Sequence, residues 1–439
     1  MDKYTENNYY PQETEDFDTS YERASSVETE LRKTIQRQKK TMFRLMEKIN
    51  RLRIICIVLL ALLVIESFLW WGNSGSDTAV TPDGADAVVV TDNSAQGNDD
   101  GSSSSNGVSG QDDSRIDSII TTMTLEQKVY QMIFTTPENL TGVPAVTMAG
   151  DSSKTAIEKY PVGGLIYSSK NLETRQQVKE MLSKIQSYSN IGLFLAIEEN
   201  GNASAVSSAQ DVSSISVSSP SDIGSSNDID LATKTYSTLA AEITELGFNL
   251  NLAPYAEPAD RSADYFSSDA TVASSMVKSS VEAMSKYNLA SAIKYFPTNS
   301  NTSKSLEEMK ENEIIPFKSG IDAGVDFVVV SGKTSSIGIP FSMSKSVMKQ
   351  TLKTDLAFGG VVVADDITSE DIATTYTQEK AAVEAINSGA DMLIVPQGVS
   401  KTVNAIIAAI ESGEISETTI NESVKRILRI KLNRGIQGR

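Results

Sequence analysis

Few groups in this chain are able to do chemistry. It has no histidine and one cysteine, Cys56. A Ser-His-Asp triad, a histidine-ligated zinc and an imidazole proton shuttle are therefore excluded, as are an intrachain disulfide and a cysteine metal cluster. Carboxylate, lysine, tyrosine and hydroxyl chemistry remain, beside plain binding. The candidate groups recur just past short apolar runs. Glu198 and Glu199 follow LFLAI, Glu257 follows NLAPYA, and Asp365 and Asp366 follow GGVVVA. Lys294 and Tyr295 end another run, Ser331 and Lys333 follow DFVVV, and Pro396-Gln397 follow DMLIV. Several carboxylates and one lysine brought together suit a polyhydroxylated ligand, whose hydroxyls need charged acceptors and donors. Two carboxylates flanking a bond are also what glycoside hydrolysis requires. Helix capping is the plainer use of such acids, and Asp366, before Ile367-Thr368-Ser369-Glu370, fits it.

The runs themselves predict what positions these groups. They are Gln131–Thr135, Gly164–Ser168, Leu193–Ile197, Phe248–Leu252, Ala290–Tyr295, Asp326–Val330, Gly360–Ala364 and Asp391–Val395. Helix-period segments lie between them, at Thr174–Tyr188, Leu231–Leu246, Thr271–Tyr287, Ser344–Leu356, Thr377–Ser388 and Lys401–Ser412. Eight strand-like runs alternating with helices predict an α/β fold, a closed (β/α)8 barrel of the TIM type, over residues 115–439. No glycine-rich phosphate loop follows the first strand, which argues against an open dinucleotide-binding sheet. In a barrel the chemistry sits just past the strand C-termini, where the candidate groups fall.

Charge divides the rest of the chain. Overall, 39 Lys+Arg face 57 Asp+Glu, a formal net charge of -18, which argues against a nucleic-acid partner. Residues 1–31 are acidic and poor in apolar groups, predicting a disordered tail. Residues 32–53 are basic, with Leu31, Ile35, Gln38, Met42, Leu45, Ile49 and Leu52 at heptad spacing. A short dimerising coiled coil through 31–52 and an amphipathic helix on anionic lipid both fit. Ile54 to Trp71 is apolar enough to predict one membrane-spanning helix. Its basic flank sets the N-terminus in the cytoplasm and the C-terminal bulk outside. Residues 72–114 contain no Lys or Arg and predict a flexible Ser/Gly/Asp-rich linker.

Longer strings carry a family likeness. MTLEQKVYQMIF, YPVGGLIYSSKN, LAIEENGN, GFNLNLAP, AIKYFP, LEEMKENEIIPFKSGIDAGVDFVVVS, GGVVVADDI, INSGADMLIVP and SGEISETTINESVKRILRIK occur in one order. Together they resemble the N-terminal barrel domain of glycoside hydrolase family 3, in its single-domain β-N-acetylglucosaminidase branch, from about Ile116 to Gly435. The resemblance implies a retaining mechanism with a carboxylate nucleophile and a separate acid, and it puts Asp365 at the nucleophile position. The branch's acid is a histidine, held by an Asp two residues earlier, on a loop after strand five. Here Tyr295-Phe296-Pro297 runs through Thr298–Ser303 almost directly into Lys304-Ser305-Leu306, so that loop reads as deleted. The family's Lys-His-Phe-Pro-Gly-His-Gly stands as Lys294-Tyr295-Phe296-Pro297-Thr298-Asn299-Ser300. Its Asp-x-Glu-Gly-Gly-Arg stands as Glu198-Glu199-Asn200-Gly201-Asn202-Ala203, and its strand-four Asp as Glu257. Sugar contacts are thus implied at Lys294, Glu198, Glu257 and Arg261, in altered form.

Three expectations follow. In the first, the barrel is catalytically impaired and binds cell-wall glycan or a surface protein. In the second, it is an active retaining β-N-acetylglucosaminidase using Asp365 and a replacement acid drawn from Glu198, Glu199 and Glu308. In the third, the N-terminal part carries the function. No metal or organic cofactor is implied.

Overall fold

The computed structural model describes residues 106–202, 204–335 and 338–439. The expected tail, basic helix, coiled-coil dimer and span at 54–71 lie outside the described residues. Among the described residues no helix is long and apolar enough to cross a membrane. The expected single-pass membrane location is corrected accordingly and is not carried further. A helix runs Asn106–Thr122, so its first turns fall on residues read as linker.

Eight parallel strands close into one barrel in chain order: β1 Ile133–Thr135, β2 Gly164–Ile166, β3 Phe194–Ile197, β4 Leu250–Asn251, β5 Ala290–Phe296, β6 Phe327–Val330, β7 Val361–Ala364 and β8 Met392–Ile394. Pairing of Ile133 with Leu393 and Phe134 with Ile394 joins the last strand to the first. The (β/α)8 expectation holds because such strands are buried on both faces and read as continuous apolar runs. Val328-Val329-Val330 and Val361-Val362-Val363 are entirely buried examples.

Ring contacts locate the barrel interior. Phe134 of β1, Phe194 of β3 and Phe327 of β6 belong to strands that are not neighbours, so their rings can meet only inside. Their centroids lie 5.0 to 6.1 Å apart. Gly164 of β2 makes room for them, since a Cβ there would come 2.4 Å from the Phe134 ring. Below them, at the strand N-terminal end, the Lys431 ammonium sits 4.9 Å over the Phe194 ring and donates to Gln131 Oε1 at 2.7 Å.

Local sequence sets the outer helices. Thr174 and Gln177 form a reciprocal capping box that starts helix Arg175–Tyr188, which buries Val178, Met181, Leu182 and Ile185 at helical spacing. Asp228 caps helix Ile229–Leu246, and Gly247 ends it in the left-handed region with φ 104°. The segment expected as helix Ser344–Leu356 is a π-helix over Ser346–Asp355. Helices Ile315–Asp322 and Glu417–Asn433 were not among the expected segments.

Candidate functional site at the barrel mouth

The C-terminal ends of β3, β4, β5 and β7 bring the centre of the site together. Glu198, one residue past β3, accepts from Lys294 Nζ at 2.6 Å on Oε2 and from the Tyr255 hydroxyl at 2.7 Å on Oε1. Lys294 is buried while the Glu198 side chain remains 42% exposed. The ammonium also lies 4.7 Å over the Tyr255 ring and 5.0 Å over the Tyr295 ring. Tyr255 packs edge-on against both Tyr265 and Tyr295. Burial pushes the Glu198 carboxyl up, but the Lys294 charge and the two hydrogen bonds outweigh it and hold the group below the ordinary range. Burial likewise depresses Lys294, and Glu198 foremost overcomes it, so this lysine stays charged.

Asp365 follows β7, and its amide donates to Val330 O at 3.0 Å. Burial raises its carboxyl, and the like charges of Asp366 and Glu198 push the same way. The Asp366 amide and Lys294 oppose them without prevailing. Asp366 accepts from the Thr368 amide and hydroxyl at 2.8 and 2.6 Å, a local turn-capping use.

Glu199 behaves unlike its neighbour. It is fully buried and accepts from the amides of Val206 and Ser207 at 2.8 and 3.2 Å. Burial outweighs those bonds and pushes its carboxyl up to about 7. Asn251 Oδ1 receives the Glu199 amide, and its Nδ2 donates to the Glu199 carbonyl. Glu199 thus ties the 200–207 loop to the end of β3.

Glu257 is buried and accepts from Arg261 at 2.6 Å, from the Asn299 amide at 2.8 Å and from the Thr298 hydroxyl. It clamps the Thr298-Asn299 segment that follows β5. Arg261 also donates to Ser300 Oγ at 2.5 Å and to the Tyr265 hydroxyl at 3.0 Å. Glu308 is exposed and completes a capping box with Ser305 on helix Leu306–Lys310. Bonds from the Ser305 amide and hydroxyl hold its carboxyl low.

Of the residues expected at the site, Glu198, Lys294 and Asp365 interact with one another. Glu257 and Arg261 form a second cluster that reaches the first through the contact of Tyr265 with Tyr255. Glu199 and Glu308 serve loop and helix. Tyr255 and Tyr265 were missed by sequence reasoning, although Tyr255 stands inside the singled-out NLAPYAE string. Among the described residues no group of three or more Cys, Asp or Glu could hold a metal ion.

A closed parallel (β/α)8 barrel with carboxylates and a buried lysine at its C-terminal mouth has the layout of a barrel enzyme. Residues 124–430 match the Glycosyl hydrolase family 3 N terminal domain, and the chain belongs to that family. It is 23% identical over 323 residues to beta-hexosaminidase A of Pseudoalteromonas piscicida, covering 63% of this chain and 54% of that protein. It is 22% identical over 349 residues to a periplasmic beta-glucosidase of Salmonella typhimurium, covering 74% of this chain and 42% of that protein. The chain therefore spans about half the length of these relatives. Its fold is similar to a glycoside hydrolase family 3 beta-N-acetylglucosaminidase from Paenibacillus sp. str. FPU-7, with TM-score 0.65 and 25% identity, covering 72% of this chain and 63% of that one. Relatives whose names state a location are periplasmic or secreted, unlike the expected membrane placement.

Proposed function

We propose that the barrel is a carbohydrate-binding member of its family whose hydrolytic step is impaired. The ligand class is a glycan, with cell-wall glycan the first choice and a surface protein the alternative. The observation that carries the reading is the Glu198–Lys294 ion pair at 2.6 Å, in a chain without histidine. Hydrolysis of an unactivated glycoside needs a proton donor beside the leaving oxygen, worth about 10²–10⁴-fold. Glu198 is held as a carboxylate by Lys294 and Tyr255, and Glu308 is held as one by its cap. Neither carries the proton an acid must give.

One observation favours a second reading, that of an active retaining β-N-acetylglucosaminidase. Glu199 is protonated in part at neutral pH, as a general acid should be, although both its oxygens serve loop amides. Retaining catalysis would need it about 5–5.5 Å from Asp365.

Two substrates separate the readings. The full chain is incubated with an activated aryl β-N-acetylglucosaminide and with unactivated chitobiose, each beside Asp365→Ala. Aryl release that depends on Asp365, with chitobiose untouched, identifies a live nucleophile lacking its acid. Cleavage of both substrates would overturn the impaired reading and support the second. Release of neither leaves binding, read by titration with chitin oligomers.

A further inference from the structure

The mouth offers acceptors in excess of donors. Glu198 takes one donor on each oxygen, and a carboxylate oxygen has room for a second. Its side chain is half exposed, so that room opens outward. Asp366 takes donors from Thr368 on one oxygen, and among the described residues Asp365 is met by the Asp366 amide and the charge of Lys294. Nearby cations are already engaged. Lys294 is buried on Glu198, Arg261 is bound to Glu257, and Lys333 is paired with Asp371 at 2.6 Å. Lys294 therefore offsets one of the three carboxylates Glu198, Asp365 and Asp366, and among the described residues two remain without an ion-pair partner.

We propose that this mouth selects sugars carrying a free, protonated amino group over their N-acetylated forms. The proposal rests on the glycan-binding reading and names its substrate class. An ammonium supplies three donors and the charge that the uncompensated carboxylates lack. An acetamido group supplies one donor and a carbonyl that needs a donor of its own, which the engaged lysine and arginine do not spare. Glu198 and Asp365 are the specificity-determining residues.

The test is calorimetric titration of the full chain at pH 6 with the β-1,4-linked glucosamine tetramer and with the N-acetylglucosamine tetramer. Variants are Glu198→Gln and Asp365→Asn, the second breaking no ion pair and so keeping the test open should the first misfold. Because the chain carries a net charge of -18, Asp230→Asn, exposed on an outer helix, serves as a control. The amine tetramer should bind at least 10-fold more tightly, and each mouth variant should remove most of that margin while Asp230→Asn leaves it. Equal or tighter binding of the acetylated tetramer overturns the proposal while the glycan reading stands. A margin that survives both mouth variants also overturns it, because the attraction then comes from the general surface charge. Binding of neither tetramer sinks the glycan reading and this inference with it.

Discussion

Lys431 is fully buried at the strand N-terminal end, and its ammonium touches a phenyl ring and one amide oxygen but no carboxylate. Burial alone pushes it down from 10.5 to about 7. Each unit is worth about 1.4 kcal/mol, so the charged form destabilises the fold by about 5 kcal/mol, as an upper value. Between pH 7 and 10.5 the unfolded chain holds a proton that the folded chain has released. Stability therefore rises with pH across that window and sits at its lowest plateau below pH 7. Lys431→Met removes the titration and leaves Gln131 Oε1 without its donor, a loss of about 1–2 kcal/mol. The variant should thus be more stable than wild type by a few kcal/mol at pH 6–7, and the difference should shrink or reverse by pH 10. Urea unfolding of both proteins, followed by circular dichroism at unit steps from pH 6 to 10, measures it. Groups common to the two proteins cancel in the difference. Parallel pH profiles, or a variant less stable at pH 6, would refute the reasoning.

Three further outcomes are expected. Glu199 has its proton held up to about 7 from an ordinary 4.5. The folded chain therefore binds a proton the unfolded chain lacks in that window, and stability falls by up to about 3 kcal/mol as pH rises through it. Glu199→Gln should abolish that component of the urea midpoint, and an unchanged pH 4.5–7 dependence would contradict it. Glu257→Ala orphans the Asn299 amide and the Thr298 hydroxyl and frees Arg261, so about 2–4 kcal/mol should be lost in urea unfolding; a loss under 1 kcal/mol would show that the 298–300 segment is held otherwise. Glu308→Ala removes half of an exposed capping box and should leave glycan titrations unchanged, whereas a change in affinity would return Glu308 to the site.

The barrel was legible because its physics is local and repeated. Strands buried on both faces must be apolar throughout, as in Val361–Ala364, and the helices between them announce their starts with residues such as Thr174, Asp228 and Thr377. Even β4, two residues long, falls within the expected run Phe248–Leu252, whereas the winding of Ser346–Asp355 escaped, because a helical apolar spacing does not distinguish α from π.

The site divides along the same line. From the sequence alone it followed that imidazole chemistry is absent, that carboxylates and one lysine cluster past the strand ends, and that Asp366 could cap a turn. Which carboxylate does what was decided only in three dimensions. Glu198 and Glu199 are adjacent and chemically identical, yet successive residues project to opposite sides, so one reaches Lys294 and Tyr255 while the other is sealed against loop amides. Tyr255 meets Glu198 across 57 residues of chain, and Glu257 meets Thr298 across 41. Such pairings arise when barrel closure brings distant strand ends together. The charge state of each group depends on those partners and on burial, neither of which the order of residues contains.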